Sequence, residues 1–391
     1  MCRNFHYMKK KILILLSYII IFFNSNLLSE ENNKILKVGL LAPLTGDYKE
    51  LGNSLLYSLQ LALNEIGDDK VFIIPRDSGF KDKEKINLAI QEIKSEGANV
   101  IIGPISSGDF DEIKKYNDII FISPSNIYPK FTNNVISVGI SLESQLISLI
   151  NFIKKQKKNK TIIMFPKNKY EDLVEGKIKA MNLENTKIFK YNPDPQVLTG
   201  EIEILTNYSQ RKRNLEIRKK MYEDKEDEQS IKAMERLDQL YTLGEVNFDS
   251  VIIIDFGNNL KSVLTSLVYT DVSQSKVLFT TVNQWFDESI FYENTIKSLY
   301  YPSINYKEFK KYNQKYFKRF NIMPNEITIL TYDALGLIYY AWKDKGRISS
   351  IDDFSFKNKI KGKIGTFSFK DKRVFQELDI YKAEENKFTK F

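Results

Sequence analysis

The chain has 391 residues, with 58 Lys and Arg against 50 Asp and Glu and a formal charge of +8. That length fits two domains or one large discontinuous architecture, either of which supplies a full core without covalent staples. The single cysteine and the single histidine are Cys2 and His6, so everything beyond the first few residues lacks thiolate nucleophiles, imidazole bases, Ser-His-Asp arrangements, Cys/His zinc sites and disulfides.

From Ile12 to Phe23 the chain reads ILILLSYIIIFF, directly behind Lys9, Lys10 and Lys11. A basic stretch followed by a short apolar run is the pattern of a secretory signal. A membrane-spanning helix takes about 20 apolar residues, and Asn24, Ser25 and Asn26 arrive before that length is reached. Residues 1–29 are therefore expected to form a signal peptide cut near Ser29, with Met1 or Met8 as the start; an uncleaved anchor is the other reading. No cysteine follows the run, so the chain is not expected to be a lipoprotein. Without Arg3, Lys9, Lys10 and Lys11 the 58 basic residues fall to 54 against 50 acidic ones, an ordinary balance that gives no footprint for nucleic acid.

Residues 35 to 140 repeat one unit: an apolar strand, a turn and an amphipathic helix, the signature of a parallel sheet covered by helices. ILKVGLLAPLTG is the first strand with its loop, and Leu51, Leu55, Leu56, Leu59, Leu63 and Ile66 then follow helical spacing. VFIIPRDSG gives a second strand, followed by a helix from Lys83 that closes at Glu96-Gly97. NVIIGP is a third strand, Asp109 to Tyr116 a short helix, and IIFISPS a fourth strand. The pattern restarts over residues 141–285, where a helix at 142–157 precedes the strand TIIMFP, a helix after Tyr170, and the buried strands VIIIDFG and KVLFTTV.

Between these later strands, residues 200 to 240 are dense in charge. A solvated helical hairpin and a docking surface for a partner protein are the two readings; Leu215, Met221, Ile231, Met234 and Leu237 supply a narrow apolar stripe that favours helix over disorder. From Asn305 to Trp342 the pattern is helical with a break at Pro324. The aromatics at 306, 309, 312, 316, 317 and 320 keep helical spacing, which predicts a packed face with lysines outside rather than a nucleic-acid surface. The C-terminal segment alternates like a hairpin and a closing strand. The expected fold is α/β: two Rossmann-like lobes joined by crossover strands at a hinge. Lobe 1 takes 35–140 and 286–342, and lobe 2 takes 141–285 and 343–391.

Ligands of open parallel sheets settle at the carboxyl ends of the strands, where loops and helix N-termini present free N–H groups. Three strand ends of the first lobe carry small and hydroxyl-bearing residues: Pro43-Leu44-Thr45-Gly46, Gly103-Pro104-Ile105-Ser106-Ser107-Gly108 and Ser123-Pro124-Ser125-Asn126. Such residues cap helices and turns, and they also hold ammonium and carboxylate groups; both readings stand. VGLLAPLTGDYKELGNSLLYSLQLALNEI, VIIGPISSGD and ISPSN, in this order, resemble the first lobe of the leucine/isoleucine/valine-binding family of periplasmic binding proteins, and YDALGLIYYAW and the C-terminal segment resemble its later parts. The resemblance implies the type I periplasmic binding protein fold, a location in the periplasm, no catalysis and no cofactor. It also implies a ligand-binding role for Thr45, Ser106, Ser107, Ser125 and Asn126 in the first lobe. In the second lobe it implies that role for Tyr170, and Asn258 and Trp285, which follow the strands VIIIDFG and KVLFTTV, are further ligand-binding candidates.

Where amino-acid binders of that family offer an aromatic residue and an acid, this chain has Gly257-Asn258-Asn259 and Thr281-Val282-Asn283. An ammonium buried without a carboxylate or neutral acceptors costs several kcal/mol. These departures, with IIPRDSG, the charged helices and the tryptophan of TTVNQWFDE, resemble the penicillin-binding-protein activator group. That branch implies a cell-wall synthase as partner and a role in regulating peptidoglycan synthesis. The alternative is a solute receptor for an ABC transporter permease, taking an amino acid or another small polar ligand. A more remote alternative, a carboxylate-dependent glycosidase, rests on Asp77, Asp255 and Asp287 near strand ends, whose spacing selects no reaction.

Overall fold

A computed structural model describes residues 35–129, 133–292, 297–362, 365–370, 373–384 and 387–391; the expected signal peptide lies outside them. The chain divides into two units. One takes the residues up to Gly139 with Tyr316–Asn358 and Phe369–Val374, and the other takes Ile140–Lys315, Lys359–Ser368 and Phe375–Phe391.

The first unit is built on a parallel five-stranded sheet of β1 (Leu36–Ala42), β2 (Val71–Asp77), β3 (Val100–Ile102), β4 (Ile120–Ser123) and β5 (Val135–Ser137), in the order β2-β1-β3-β4-β5. Register is set by the apolar runs: Val38 lies opposite Ile73 on one side and Val100 on the other. Strands of this kind are apolar throughout because helices cover both faces. Helix α1 (Lys49–Ile66) ends at Gly67 in the left-handed conformation, and α2 (Lys83–Ser95) starts where the Asp82 carboxylate accepts the Lys85 N–H. Ile86, Ile90 and Ile93 of α2 pack with Leu41, Ile101, Phe110 and Phe121 into one core. Gly52 in α1 is fixed by close approach: a Cβ there would stand 1.9 Å from the Pro43 carbonyl oxygen.

The second unit carries a seven-stranded sheet, β15-β14-β10-β9-β8-β6-β7. Strands β6 (Thr161–Pro166), β7 (Thr186–Tyr191), β8 (Ser250–Ile253), β9 (Leu278–Thr281) and β10 (Leu299–Ser303) run parallel, whereas β14 (Asp379–Glu384) and β15 (Lys387–Lys390) are antiparallel additions. Helices α4 (Leu142–Lys155) and α5 (Glu171–Ala180), which follow the short α3 (Phe110–Ile113), bury Leu146, Leu149, Ile153 and Ile178 against Ile163, Phe165 and Ile252. Three helices separate β7 from β8, namely α6 (Pro195–Leu205), α7 (Tyr208–Lys220) and α8 (Glu228–Asp238), where single helices join β6 to β7 and, through α9 (Gly257–Tyr269), β8 to β9. Strands β11 (Ile360–Lys361), β12 (Thr366–Lys370) and β13 (Arg373–Glu377) form a small third sheet.

Two α/β units with parallel sheets accord with the fold class read from the sequence, and the helical break at Pro324 falls between α10 (Tyr306–Phe320) and α11 (Thr328–Lys345). The run 286–342, expected whole in the first lobe, is divided. Strand β10 enters the second unit's sheet between β9 and β14, and the boundary between units falls inside α10. Residues 343–358, expected in lobe 2, belong with the first unit. The reason is that β10, sequence LYYPS, pairs over five residues with β14 some 80 positions later and at one position with β9, partners that no local pattern announces.

Candidate functional site

In the first unit the carboxyl ends of β1 to β4 are tied into one hydrogen-bonded edge. Asp77, the last residue of β2, is its hub. Its carboxylate accepts the backbone N–H groups of Leu44 (2.8 Å), Thr45 (3.3 Å) and Gly79 (3.0 Å), the Thr45 hydroxyl (2.5 Å) and the Lys85 ammonium (3.3 Å). Partial burial pushes this carboxyl up, but the Thr45 hydroxyl and the N–H groups of Gly79 and Leu44 outweigh it and bring the pKa to about 2. The loop after β2 then meets the turn after β3. There Asp109 accepts the Lys81 N–H, and its burial raises its own pKa. The Ser123 hydroxyl at the end of β4 donates to the Pro104 carbonyl (2.6 Å), and the Gly139 N–H reaches the Ser125 carbonyl (3.2 Å). Phe80 and Lys81 have positive φ, and the Phe80 ring stacks on Tyr48 at 3.8 Å.

The five first-lobe candidates all sit on this edge. Thr45 is exposed and held by Asp77 and Lys85. Ser106 accepts the Gly108 N–H and starts the turn Ser107–Asp109, and Ser125 is buried with its hydroxyl accepting the Ile127 N–H. Ser106 and Ser125 thus close their own turns, as turn-forming hydroxyls commonly do, whereas Thr45 ties its loop to the end of β2. Ser107 is half-buried and Asn126 exposed, and neither side chain makes a hydrogen bond among the described residues.

The second unit repeats the construction. The Lys167 N–H at the end of β6 reaches the Tyr191 carbonyl at the end of β7 (2.8 Å), and the Tyr191 hydroxyl donates to Asp255 beyond β8 (2.6 Å). Gln284 beyond β9 donates to the Asp255 carbonyl (3.0 Å), and Ser303 of β10 donates to Asn283 Oδ1 (2.9 Å). Gln145 of α4 accepts the Asn283 N–H (2.7 Å). Asp255 is 7% exposed and also accepts the Phe256 N–H (2.9 Å). Burial, with the Asp255 carboxylate beside it, pushes the Tyr191 hydroxyl far up.

Tyr170, Asn258 and Trp285 lie at the carboxyl ends of β6, β8 and β9. Tyr170 is exposed just before α5, with the Lys169 ammonium 5.0 Å from its ring centre. Asn258 is exposed in the first turn of α9. Trp285 is half-buried against Phe309, its backbone left-handed at φ 51° and its N–H taken by Asn283 Oδ1 (3.0 Å). Asp287 accepts from the Ser289 N–H and hydroxyl. Each of the three acids raised as catalytic candidates is thus engaged within its own unit's loops. Among the described residues, no group of three or more His, Cys, Asp and Glu is placed to hold a metal ion.

Strand order β2-β1-β3-β4-β5 places the reversal of direction between β1 and β3, the point at which open α/β sheets bind ligands, and the Thr45 and Ser106 turns flank it. Residues 35–180 match the periplasmic binding protein family. This accords with the resemblance carried by the β1, β3 and β4 turns, and the likeness in fold extends over most of the chain. The isoleucine complex of the Streptococcus pneumoniae branched-chain amino acid transporter substrate-binding protein LivJ is 15% identical, with a TM-score of 0.52 over 91% of this chain and 98% of that one. The C-domain of Haemophilus influenzae LpoA, described as a regulator of PBP1A, is 13% identical, with a TM-score of 0.58 over 91% and 99%. Full-length Haemophilus influenzae LpoA gives a TM-score of 0.61 at 13% identity, over 91% of this chain and 59% of that one. No curated protein sequence matches this chain. As a periplasmic binding protein in fold, it has parallel-sheet edges of the kind described above in both units, and no described helix is long and apolar enough to cross a membrane.

Two features escaped the sequence. Asp77 stood out only as an acid near a strand end; its partners Leu44 and Thr45 are more than 30 residues away. Arg211, one of many charges in its segment, is 6% exposed and donates to Gly244, Thr270, Asp271 and Thr242. A basic residue in phase with Leu215 and Tyr208 was the available signal.

Proposed function

We infer that this chain is a non-catalytic periplasmic regulator that docks on a penicillin-binding cell-wall synthase, in the manner that LpoA is described as regulating PBP1A. The observation that carries this reading is the commitment of the second unit's acid. Asp255 is the carboxylate at the end of β8, and it is engaged by Tyr191 and its own loop. Asn283 stands after β9, with its side-chain oxygen shared between Trp285 and Ser303. An amino-acid ammonium at this edge would meet neither a free carboxylate nor a free carbonyl from these two residues, and burying it unpaired is costly.

The second reading, a solute receptor for an ABC transporter permease, is favoured by Ser107 and Asn126, whose side chains make no hydrogen bond at the first unit's edge, and by likeness in fold to LivJ. In it, the ligand-binding candidates are Thr45, Ser106, Ser107, Ser125 and Asn126 of the first unit and Tyr170, Asn258 and Trp285 of the second. Thermal unfolding with leucine, isoleucine or valine at 1 mM separates the two, because a ligand bound only by the native state raises the transition temperature. The regulator reading predicts no rise with any of the three. It also predicts faster glycan polymerisation by a purified class A penicillin-binding protein when the chain is added. A rise with an amino acid, together with no effect on the synthase, would overturn it.

A further inference from the structure

The α7–α8 hairpin is an addition to the strand–helix–strand rhythm, and it is firmly seated. Arg211 closes four hydrogen bonds to the 242–244 loop and the end of α9, and the Leu243 N–H returns one to the Arg211 carbonyl at 3.0 Å. With Arg211 and Leu215 inward, the opposite face of α7 presents Gln210, Arg213, Ile217, Lys220 and, just past its end, Met221. Ile217 is 45% and Met221 51% exposed. Arg213 and Lys220 make no ion pair among the described residues, whereas Lys219 pairs with Asp238 of α8 at 2.8 Å.

Charge is segregated along this hairpin. From 212 to 220 there are five basic residues and one acid, Glu216, net +4; from 223 to 228 there are five acids and one lysine, net −4. The amino end of α7 is also electrostatically incomplete. Its N-cap Asn207 makes no side-chain capping bond, the first turn holds no acid, and Lys212 and Arg213 follow. Helix N-termini favour negative charge, so this arrangement lacks the acid its dipole calls for.

We propose that α7 docks against α7 of a second copy, antiparallel and two-fold symmetric about Ile217. In that register Ile217 meets its own counterpart and Arg213 lies opposite Met221 of the other copy. Helix α7 has 13 residues, about 20 Å, so the acidic turn at its carboxyl end falls beside the uncapped amino end of the other α7. There Glu223 and Asp224 come level with Arg211 and Gln210, within about one turn of Lys212 and Arg213, and the same contacts form twice. Isologous contacts require such self-complementarity, and a +4 segment followed directly by a −4 segment supplies it. One helix pair is a small interface, which sets the dissociation constant in the range of about 10 to 100 µM.

Sedimentation velocity of the purified chain tests this. In 50 mM NaCl the chain sediments as a reversible monomer–dimer system. At 500 mM NaCl, where the screening length falls from about 14 to about 4 Å, the dimer weakens roughly tenfold or more. Ile217→Glu and Arg213→Glu each abolish the dimer and leave the thermal transition unchanged, since both side chains are exposed. Arg213→Glu combined with Asp224→Arg restores it. A chain that stays monomeric at about 200 µM in low salt overturns the proposal, because that concentration lies above the expected dissociation constant. So does a dimer indifferent to salt or to Ile217→Glu, which places the contact on another face.

Discussion

Replacing Asp77 tests whether one carboxylate holds the first unit's candidate edge together. In Asp77→Ala the N–H groups of Leu44, Thr45 and Gly79 lose their acceptor, and the Thr45 hydroxyl and Lys85 ammonium lose a partner. Loss of an oxygen that caps several backbone donors typically costs about 1 to 2 kcal/mol. A larger figure is not expected, because the Asp77 side chain is 25% exposed and water can reach part of what it releases. Asp77→Asn keeps one acceptor oxygen for the three N–H groups, and its amide can donate to the Thr45 hydroxyl. Its cost should be about half as large, with the Lys85 contact as the main loss. Urea unfolding of the three proteins gives these differences, and amide hydrogen exchange localises them: Leu44, Thr45 and Gly79 should exchange faster in the alanine variant. The sign with pH is fixed as well. The folded-state pKa of about 2 lies below the ordinary aspartate value of 3.8, so the stabilisation is present above about pH 4 and disappears as pH falls through about 2. The gap between wild type and Asp77→Ala should close over that window. An alanine variant as stable as wild type, or an asparagine variant as damaged as the alanine one, would refute the hub role.

Arg211→Met should destabilise the chain by about 3 kcal/mol, because the carbonyls of Gly244, Thr270 and Asp271 keep their places and lose a charged donor. Proteolysis within 206–245 should speed up in the same variant. Tyr191→Phe leaves Asp255 short of one donor at a cost of about 1 to 3 kcal/mol, measured by thermal unfolding near neutral pH. The tyrosine's raised pKa makes its stabilisation complete below its unfolded value near 10 and lost above it. Wild type should therefore lose more stability than Tyr191→Phe as the pH rises beyond 10. Gly52→Ala should lower the folded yield, since the added methyl would stand 1.9 Å from the Pro43 carbonyl oxygen and one backbone must shift to admit it; soluble yield and circular dichroism decide that.

The alternation of apolar strands with amphipathic helices was legible in LKVGLLA, VFIIPRD and TIIMFP because periodicity is a local property, written within a dozen residues. Turn chemistry was legible for the same reason, which is why the sequence alone placed Thr45, Ser106 and Ser125 at strand ends. Whether such a hydroxyl faces a ligand or closes its own turn depends on donors and acceptors brought in from elsewhere. The Ser123 hydroxyl reaches Pro104, 19 residues away, and Asp77 reaches back 33 to Leu44. Membership of β10 in the second sheet likewise depended on β14, and the burial of Arg211 on carbonyls about 30 and 60 positions downstream. The sequence by itself determined the fold class, the strand–helix rhythm and the absence of histidine and cysteine chemistry beyond residue 6. Only the tertiary structure decided the sheet order, the partners of the acids and the seat of the charged hairpin, because hydrogen bonds and burial join residues by distance in space, which a linear pattern of types does not encode.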